Sequence, residues 1–195
     1  MKIATFNANS IRSRMDILVD WLNQQAPDVV AIQETKVQDA EFPEQPLLDA
    51  GYHVSFRGQK AYNGVAILYT EPQTDVLTGV THDGTPDHSR VSQGTVGGST
   101  LVNTYVPQGR ELDHEYYQYK LGWFQRLRAY FDEQFTPDDA LIWLGDMNVA
   151  HEPIDVHNPE KRAKHVCYHQ DARDAFAHCR DWGFVDVFRK HHPEP

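Results

Sequence analysis

Four oxygen-bearing side chains stand where short apolar segments stop: Asn7 after Lys2–Phe6, Glu34 after Asp28–Gln33, and Asp146 with Asn148 after Leu141–Leu144. If those segments are strands of α/β sheets, their carboxyl ends meet at one rim, where ligand sites are usually built. Glu, Asp and Asn together form an oxygen-only donor set, suited to Mg²⁺ or Mn²⁺ and poorly suited to zinc. A cation held there would neutralise a phosphate and lower the pKa of an attacking water. Taken singly, Glu34 or Asp146 is better explained as the cap of a following loop or helix.

A transition-metal reading has a weaker basis. His165, Cys167 and His169 alternate, with His178-Cys179 further on, but the spacing fits no standard zinc pattern. Cys179 already has a sufficient place on the apolar face of a helix. His151 and His157 receive no catalytic role.

The elements that would carry the rim follow from periodicity. Lys2–Phe6 reads as a strand, and Met15, Leu18, Val19 and Leu22 at i, i+3, i+4, i+7 read as a helix. Ser13 and Asp16 resemble a capping box at its start, and Pro27 lies past its end. Asp28–Gln33 is too short for a helix and reads as a strand buried on both faces. Pro43–Ala50 predicts a short helix closed by Gly51. Tyr52–Phe56 and Gly64–Tyr69 predict strands, and Val76–Val80 a weaker one. Arg90–Val96 and Thr100–Val106 flank Gly97-Gly98, a two-residue hairpin signal. Asp113 is placed to cap a long helix through Phe131, with Tyr117, Leu121, Phe124, Leu127 and Phe131 on one face. A last helix spans about Gln170 to Trp182. Hairpins, buried strands and intervening helices together indicate α/β or α+β layers, without internal repeats.

Composition sets the outer bounds. The 195 residues suffice for one domain with a core, and 40% hydrophobic with 24% charged residues is ordinary for a globular chain. No apolar run reaches membrane-spanning length, and the N-terminal residues do not read as a signal peptide. Two cysteines make no disulfide framework, so a reducing cytoplasm is expected. The net charge of −10 repels phosphate polyanions at long range, though a bound cation or local basic patch reverses the sign where it matters. Lys161, Arg162 and Lys164 form the densest basic cluster.

The segments taken together carry more than any one residue. Phe6-Asn7, Gln33-Glu34-Thr35-Lys36, Gly64-Val65-Ala66-Ile67-Leu68, Tyr105-Val106-Pro107-Gln108-Gly109, Gly145-Asp146-Met147-Asn148 and Gly183–Arg189 occur in that order. In this the chain resembles the exodeoxyribonuclease III and apurinic/apyrimidinic (AP) endonuclease branch of the endonuclease/exonuclease/phosphatase superfamily, from Met1 to about Arg189. The resemblance implies a four-layer αββα sandwich of the DNase I-like type. It also implies Mg²⁺-dependent hydrolysis (Mn²⁺ possible) of double-stranded DNA at 3′ ends or abasic sites: 3′–5′ exonuclease, AP endonuclease and 3′-phosphatase activity. Carried over residue by residue, Asn7, Glu34, Asp146 and Asn148 fall on the metal side, with Glu34 the direct ligand. Tyr105 lies beside the scissile phosphate. Asp146 and Asn148 orient or deprotonate the water and hold a phosphate oxygen. Arg90 and Lys120 fall where the family places DNA-facing cations.

The chain also departs from the pattern. The family's late aspartate, its substrate-facing aromatic segment and its Ser-Asp-His motif have no counterpart; Asp87-His88 stands in the wrong place. The expectation is a single domain, C-terminally incomplete relative to the family, with an open sheet edge and an uncovered apolar face. The complete enzyme is expected to be a monomer. The alternative is a catalytically incomplete fragment, or a DNA- or protein-binding module of the same fold.

Overall fold

The computed structural model describes residues 1–79 and 87–193, which form two compact units. The first holds residues 1–79, 87–105 and 140–146; the second holds 106–139 and 147–193. In chain order the elements are β1 (Ile3–Asn7), α1 (Ile11–Gln25), β2 (Val29–Gln33), α2 (Gln45–Asp49), β3 (His53–Arg57), β4 (Val65–Tyr69), β5 (Thr74–Thr78), β6 (Val91–Val96), β7 (Ser99–Tyr105), α3 (Glu115–Gln134), β8 (Leu141–Asp146), α4 (Pro159–Arg162), α5 (Gln170–Arg180) and α6 (Val187–His191). Val80, at the end of one expected strand, lies outside the described residues.

All eight strands belong to the first unit and form two mixed four-stranded sheets, ordered β1-β2-β4-β3 and β5-β6-β7-β8. Each sheet carries one parallel pair, β1 with β2 and β7 with β8. The other neighbours are antiparallel. Every residue of β2 is buried, because alternate side chains serve two cores. Val30 and Ile32 face Ile11, Met15, Leu18 and Leu22 of α1, together with Leu47 of α2. Val29 faces the other way, packing with Ile67 of β4 against Val96 and Leu101 of the second sheet. The glycine hairpin forms as expected: Gly97 and Gly98 both take positive φ, +57° and +78°, and join β6 to β7.

Two helix starts differ from the expected ones. α1 begins at Ile11 and Ser10 is its N-cap, without a side-chain cap hydrogen bond. The Ser13 hydroxyl donates to the Ser10 carbonyl at 3.1 Å, so Ser13 sits inside the first turn rather than capping it. α3 is capped by His114, whose Nδ1 accepts from the Tyr116 amide at 3.0 Å. An imidazole acceptor does the work that the sequence pattern gave to Asp113.

The second unit is helical. α3 and α5 pack together through Phe124 against Phe176, with Cys179 donating to the Phe124 carbonyl. α4 and α6 are short helices that the periodicity had not signalled. Among the described residues no helix is long and apolar enough to cross a membrane.

Candidate active site

Parallel pairing brings the site together in the first unit. Asn7 is opposite Gln33 in the β1–β2 ladder, which puts Glu34 one residue beyond. Tyr105 is opposite Asp146 in the β7–β8 ladder. Two carboxyl ends from each sheet therefore share a rim, and Asn7 joins them. Its Nδ2 donates at 2.8 Å to Glu34 Oε1 and at 2.8 Å to Asp146 Oδ2. Its Oδ1 accepts from the Asn9 amide at 3.0 Å. This network fixes the amide orientation, since a flipped Asn7 would point an oxygen at two carboxylates.

The backbone around Glu34 is held from both sides. Ala8, Ser10 and Ile11 donate to the carbonyls of Gln33, Glu34 and Thr35; Thr35 and Lys36 donate to those of Gly64 and Asn63. Within that clamp Glu34 and Lys36 take left-handed φ values of +54° and +52°. Such strain in non-glycine residues persists only where the surroundings over-determine it, and it concentrates at functional sites. The second strained turn turns Lys36 back, so its ammonium lies 2.7 Å from Glu34 Oε2. Lys36 also donates to Asn9 Oδ1. Lys36 had not been singled out. The signal was present, because a cation two residues past a strand-end carboxylate returns to the same rim if the chain bends there.

Burial alone would raise the Glu34 pKa. Hydrogen bonds from Asn7, Lys36 and Tyr105, with the Lys36 charge, outweigh it and hold the carboxyl below its ordinary value. Tyr105 is pushed the other way: burial raises its pKa well above the usual phenol value, and the neighbouring Glu34 charge adds to this. The phenol is thus a neutral donor at any physiological pH, its hydroxyl on Glu34.

Arg90 is 2% exposed and stacks its guanidinium 4.7 Å from the Tyr105 ring centre, while Nη1 donates to the Tyr105 carbonyl at 3.0 Å. It braces Tyr105 from beneath and presents no open face to a polyanion. Asp87 in turn accepts from the backbone amides of Ser89, Arg90 and Val91, fixing the turn that feeds β6. Gly145, one residue before the end of β8, has φ +133°, and a Cβ there would lie 2.0 Å from the Thr104 carbonyl oxygen. Only glycine lets β8 approach β7 closely enough to present Asp146 beside Tyr105.

The donor set fits a hard divalent cation. Glu34 and Asp146 offer carboxylate oxygens at one point, without sulfur or imidazole, and Mg²⁺ takes one or two carboxylates and keeps its remaining waters. Asn7 presents its amide nitrogen to both carboxylates and so holds them together, on the metal side where the sequence reading places it.

The remaining sequence candidates lie in the second unit. Asn148 has φ +46°, and its Nδ2 donates to the Val106 carbonyl at 2.8 Å. Lys120 is fully buried, its ammonium donating to the carbonyls of Gln108, Asn148 and Val166 at 3.1, 2.8 and 2.9 Å. A side chain enclosed in this way reaches no DNA backbone, so the expected DNA-facing role of Lys120 is replaced by an internal one. His165 Nδ1 accepts from the Cys167 amide, and His169 caps α5 while meeting the Tyr117 hydroxyl at 3.2 Å. Among the described residues no cluster of three His, Cys, Asp or Glu side chains could hold a metal.

Comparison with known proteins bears on the fold and the enzyme class. An exodeoxyribonuclease of Bacillus subtilis is 30% identical over 199 residues, covering 100% of this chain and 77% of that protein. The structure of an AP endonuclease from Archaeoglobus fulgidus superposes with a TM-score of 0.97 at 48% identity, covering 100% of this chain and 76% of that one. A 3′ phosphatase from Neisseria, bound to a product DNA hairpin, gives 0.93 at 34% identity and the same coverage. These likenesses bear out the α/β fold of two mixed sheets flanked by helices, and the enzyme class of a nuclease-type hydrolase. The model of the endonuclease/exonuclease/phosphatase family matches residues 4–193, and the chain belongs to that family.

Proposed function

We propose that the protein is a Mg²⁺-dependent DNA repair nuclease, acting 3′–5′ on double-stranded DNA ends, incising at abasic sites and removing 3′-phosphates. The observation that carries this reading is the Asn7 amide bridging Glu34 and Asp146, one carboxylate from each sheet. Two carboxylates beside the one Lys36 ammonium leave an excess negative charge that a divalent cation and a phosphodiester charge together balance. Named relatives act on 3′ ends and abasic sites, which supports DNA as the substrate here. Mn²⁺ is the natural substitute for Mg²⁺ on an oxygen-only set. A cytoplasmic, monomeric protein is part of the same reading.

Glu34 and Asp146 would hold the cation, which when bound supplies charge neutralisation at a phosphate oxygen and a more acidic water. The protein's own residues supply position. Asp146, paired with Tyr105 across the ladder, orients the attacking water and accepts its proton. Tyr105, kept neutral, offers a hydroxyl donor beside the scissile phosphate and does not serve as the base. The family resemblance assigns Asn148 to a phosphate oxygen. In-line phosphoryl attack asks for this placement and electrostatic support more than for a covalent nucleophile.

The test is cleavage of a labelled abasic-site duplex by the 195-residue chain with Mg²⁺ and with EDTA, beside Asp146→Asn. Metal-dependent incision that disappears in the variant is the expected result. Incision that survives both EDTA and the substitution would overturn the site.

A further inference from the structure

The rim is assembled from two sheets, so its geometry depends on how they are registered. Most of what lies between them is apolar: Val29 and Ile67 from one sheet meet Val96 and Leu101 from the other. Apolar contact holds sheets face to face but is non-directional and leaves sliding poorly opposed. A polar network centred on Gln33 and Asn103 crosses this layer near the rim. Gln33 Nε2 donates to Asn103 Oδ1 at 2.7 Å, with Gln33 1% exposed and Asn103 fully buried. Asn103 Nδ2 faces the carbonyls of Ile32 and Ala66, each at 3.1 Å, and Ser92 Oγ at 3.2 Å. Gln33 Nε2 also reaches Thr5 Oγ1 at 3.0 Å and the Ala31 carbonyl at 3.2 Å. The network thus touches β1, β2 and β4 on one side and β6 and β7 on the other.

Its position along the strands matters most. Gln33 directly precedes Glu34 and is the ladder partner of Asn7. Asn103 lies two residues before Tyr105, and its ladder partner Leu144 lies two residues before Asp146. The Gln33–Asn103 bond, supported by those from Asn103 to the Ile32 and Ala66 carbonyls, therefore ties together the neighbours of all four rim residues. The lever arm is one residue on one side and two on the other, at about 3.3 Å per residue. Directional bonds in a buried layer tolerate little displacement before a polar group is left unsatisfied.

We propose that Asn103 and Gln33 form a positioning pair that sets the separation of the Glu34 and Asp146 carboxylates, and with it the affinity for a divalent cation. This rests on the cation-binding reading of the rim, and not on the identity of the DNA substrate. Loss of residues that orient metal-binding side chains costs about 10–100-fold in affinity.

The test is Mn²⁺ binding without DNA, read from the electron paramagnetic resonance signal of the free ion, alongside thermal unfolding of the metal-free protein. Asn103→Leu and Gln33→Met each weaken Mn²⁺ binding about 10–100-fold. The double variant, with both polar groups replaced by apolar ones of similar size, regains thermal stability relative to the single variants but not Mn²⁺ affinity. Ser92→Ala, which leaves the Gln33–Asn103 bond intact, keeps wild-type affinity. If Asn103→Leu does not fold, Gln33→Met alone decides. Mn²⁺ affinity in a folded variant lacking the bond that stays within about twofold of wild type overturns the proposal, as does recovery of affinity together with stability. A wild-type chain without Mn²⁺ affinity overturns it too. A wild-type chain that binds Mn²⁺ yet cleaves no DNA refutes the nuclease reading and leaves the positioning pair to be judged on its own data.

Discussion

Replacing Lys120 by Met separates two physical roles by their signs. The ammonium makes three hydrogen bonds to carbonyl oxygens, at 3.1, 2.8 and 2.9 Å, in a fully buried place. A hydrogen bond to a charged group contributes about 1.5–3 kcal/mol net of the water it replaces, so roughly 5–9 kcal/mol is the ceiling for the three together. Withdrawing an ammonium from water costs several kcal/mol, and Met is relieved of that cost while keeping most of the aliphatic volume. What remains is three carbonyls that have lost a donor, for a net destabilisation of about 2–4 kcal/mol. In a chain of this size that lowers Tm by on the order of 5–15 °C.

The assay is urea unfolding of the metal-free protein followed by tryptophan fluorescence, paired with the salt dependence of duplex binding. A lysine on a phosphate gives the opposite pattern. Its removal lowers the slope of log K against log salt by about 0.9 and leaves stability within about 0.5 kcal/mol. Lys161, exposed in the basic cluster near α4, is the reference surface cation, and its replacement by Met leaves stability within the same margin. A Lys120→Met protein as stable as wild type, with a reduced salt slope, would refute the internal clamp.

Four further outcomes follow from the same geometry. Asn7→Ala removes the donor shared by both carboxylates and lowers metal affinity or cleavage about 10–100-fold, measured by Mg²⁺ titration of abasic-duplex incision. Glu34 gives a pH signature: its pKa is lowered on folding, so its contribution is fully present above the ordinary carboxyl value of 4.5 and is lost as pH falls below that value through the lower folded one. The stability difference between wild type and Glu34→Gln, from Tm of the metal-free protein, therefore shrinks on acidification below about pH 4.5. Tyr105→Phe keeps the ring under Arg90 but loses the hydroxyl on Glu34; cleavage falls while Tm changes little, and an unchanged rate would remove Tyr105 from the site. Cys179 is fully buried and pushed up to about 12 by burial, whereas Cys167 is half-buried, so an aromatic disulfide reagent titrates only Cys167 quickly in the native chain and both thiols in urea.

The strands and long helices were legible because their causes are local. The continuous apolar run of β2 announced burial on both faces, and the two glycines announced the β6–β7 hairpin. The strand-end residues Asn7, Glu34 and Asp146 were legible for the same reason, since each interrupts an apolar segment. The helix starts were misread where a less common group took the cap: His114 offers an imidazole acceptor, and Ser10 holds its place through backbone geometry. Side-chain roles decided at a distance in the chain were not legible. Asn7 and Asp146 are 139 residues apart, and only the folded chain shows that one amide meets both carboxylates. Lys120 in an amphipathic helix reads as a solvated cation until the three carbonyls around it are known.

The two sheets arrive at the rim by the same route. In each, a parallel edge pair delivers two carboxyl ends: β1 and β2 in one, β7 and β8 in the other. Parallel pairing is what makes the ends coincide, since an antiparallel pair would send one carboxyl end to the far side of the sheet. The acid on each side then comes from one strand of the pair, Glu34 after β2 and Asp146 at the end of β8, while its neighbour supplies a neutral polar group, Asn7 or Tyr105. Those neutral groups make the cross-links, Asn7 to both acids and Tyr105 to Glu34. Two carboxylates could not be held this close by apolar packing alone, because their repulsion would open the rim. The neutral donors make the charge tolerable without cancelling it, the Lys36 ammonium offsets only one of the two carboxylates, and the remainder is what draws a cation.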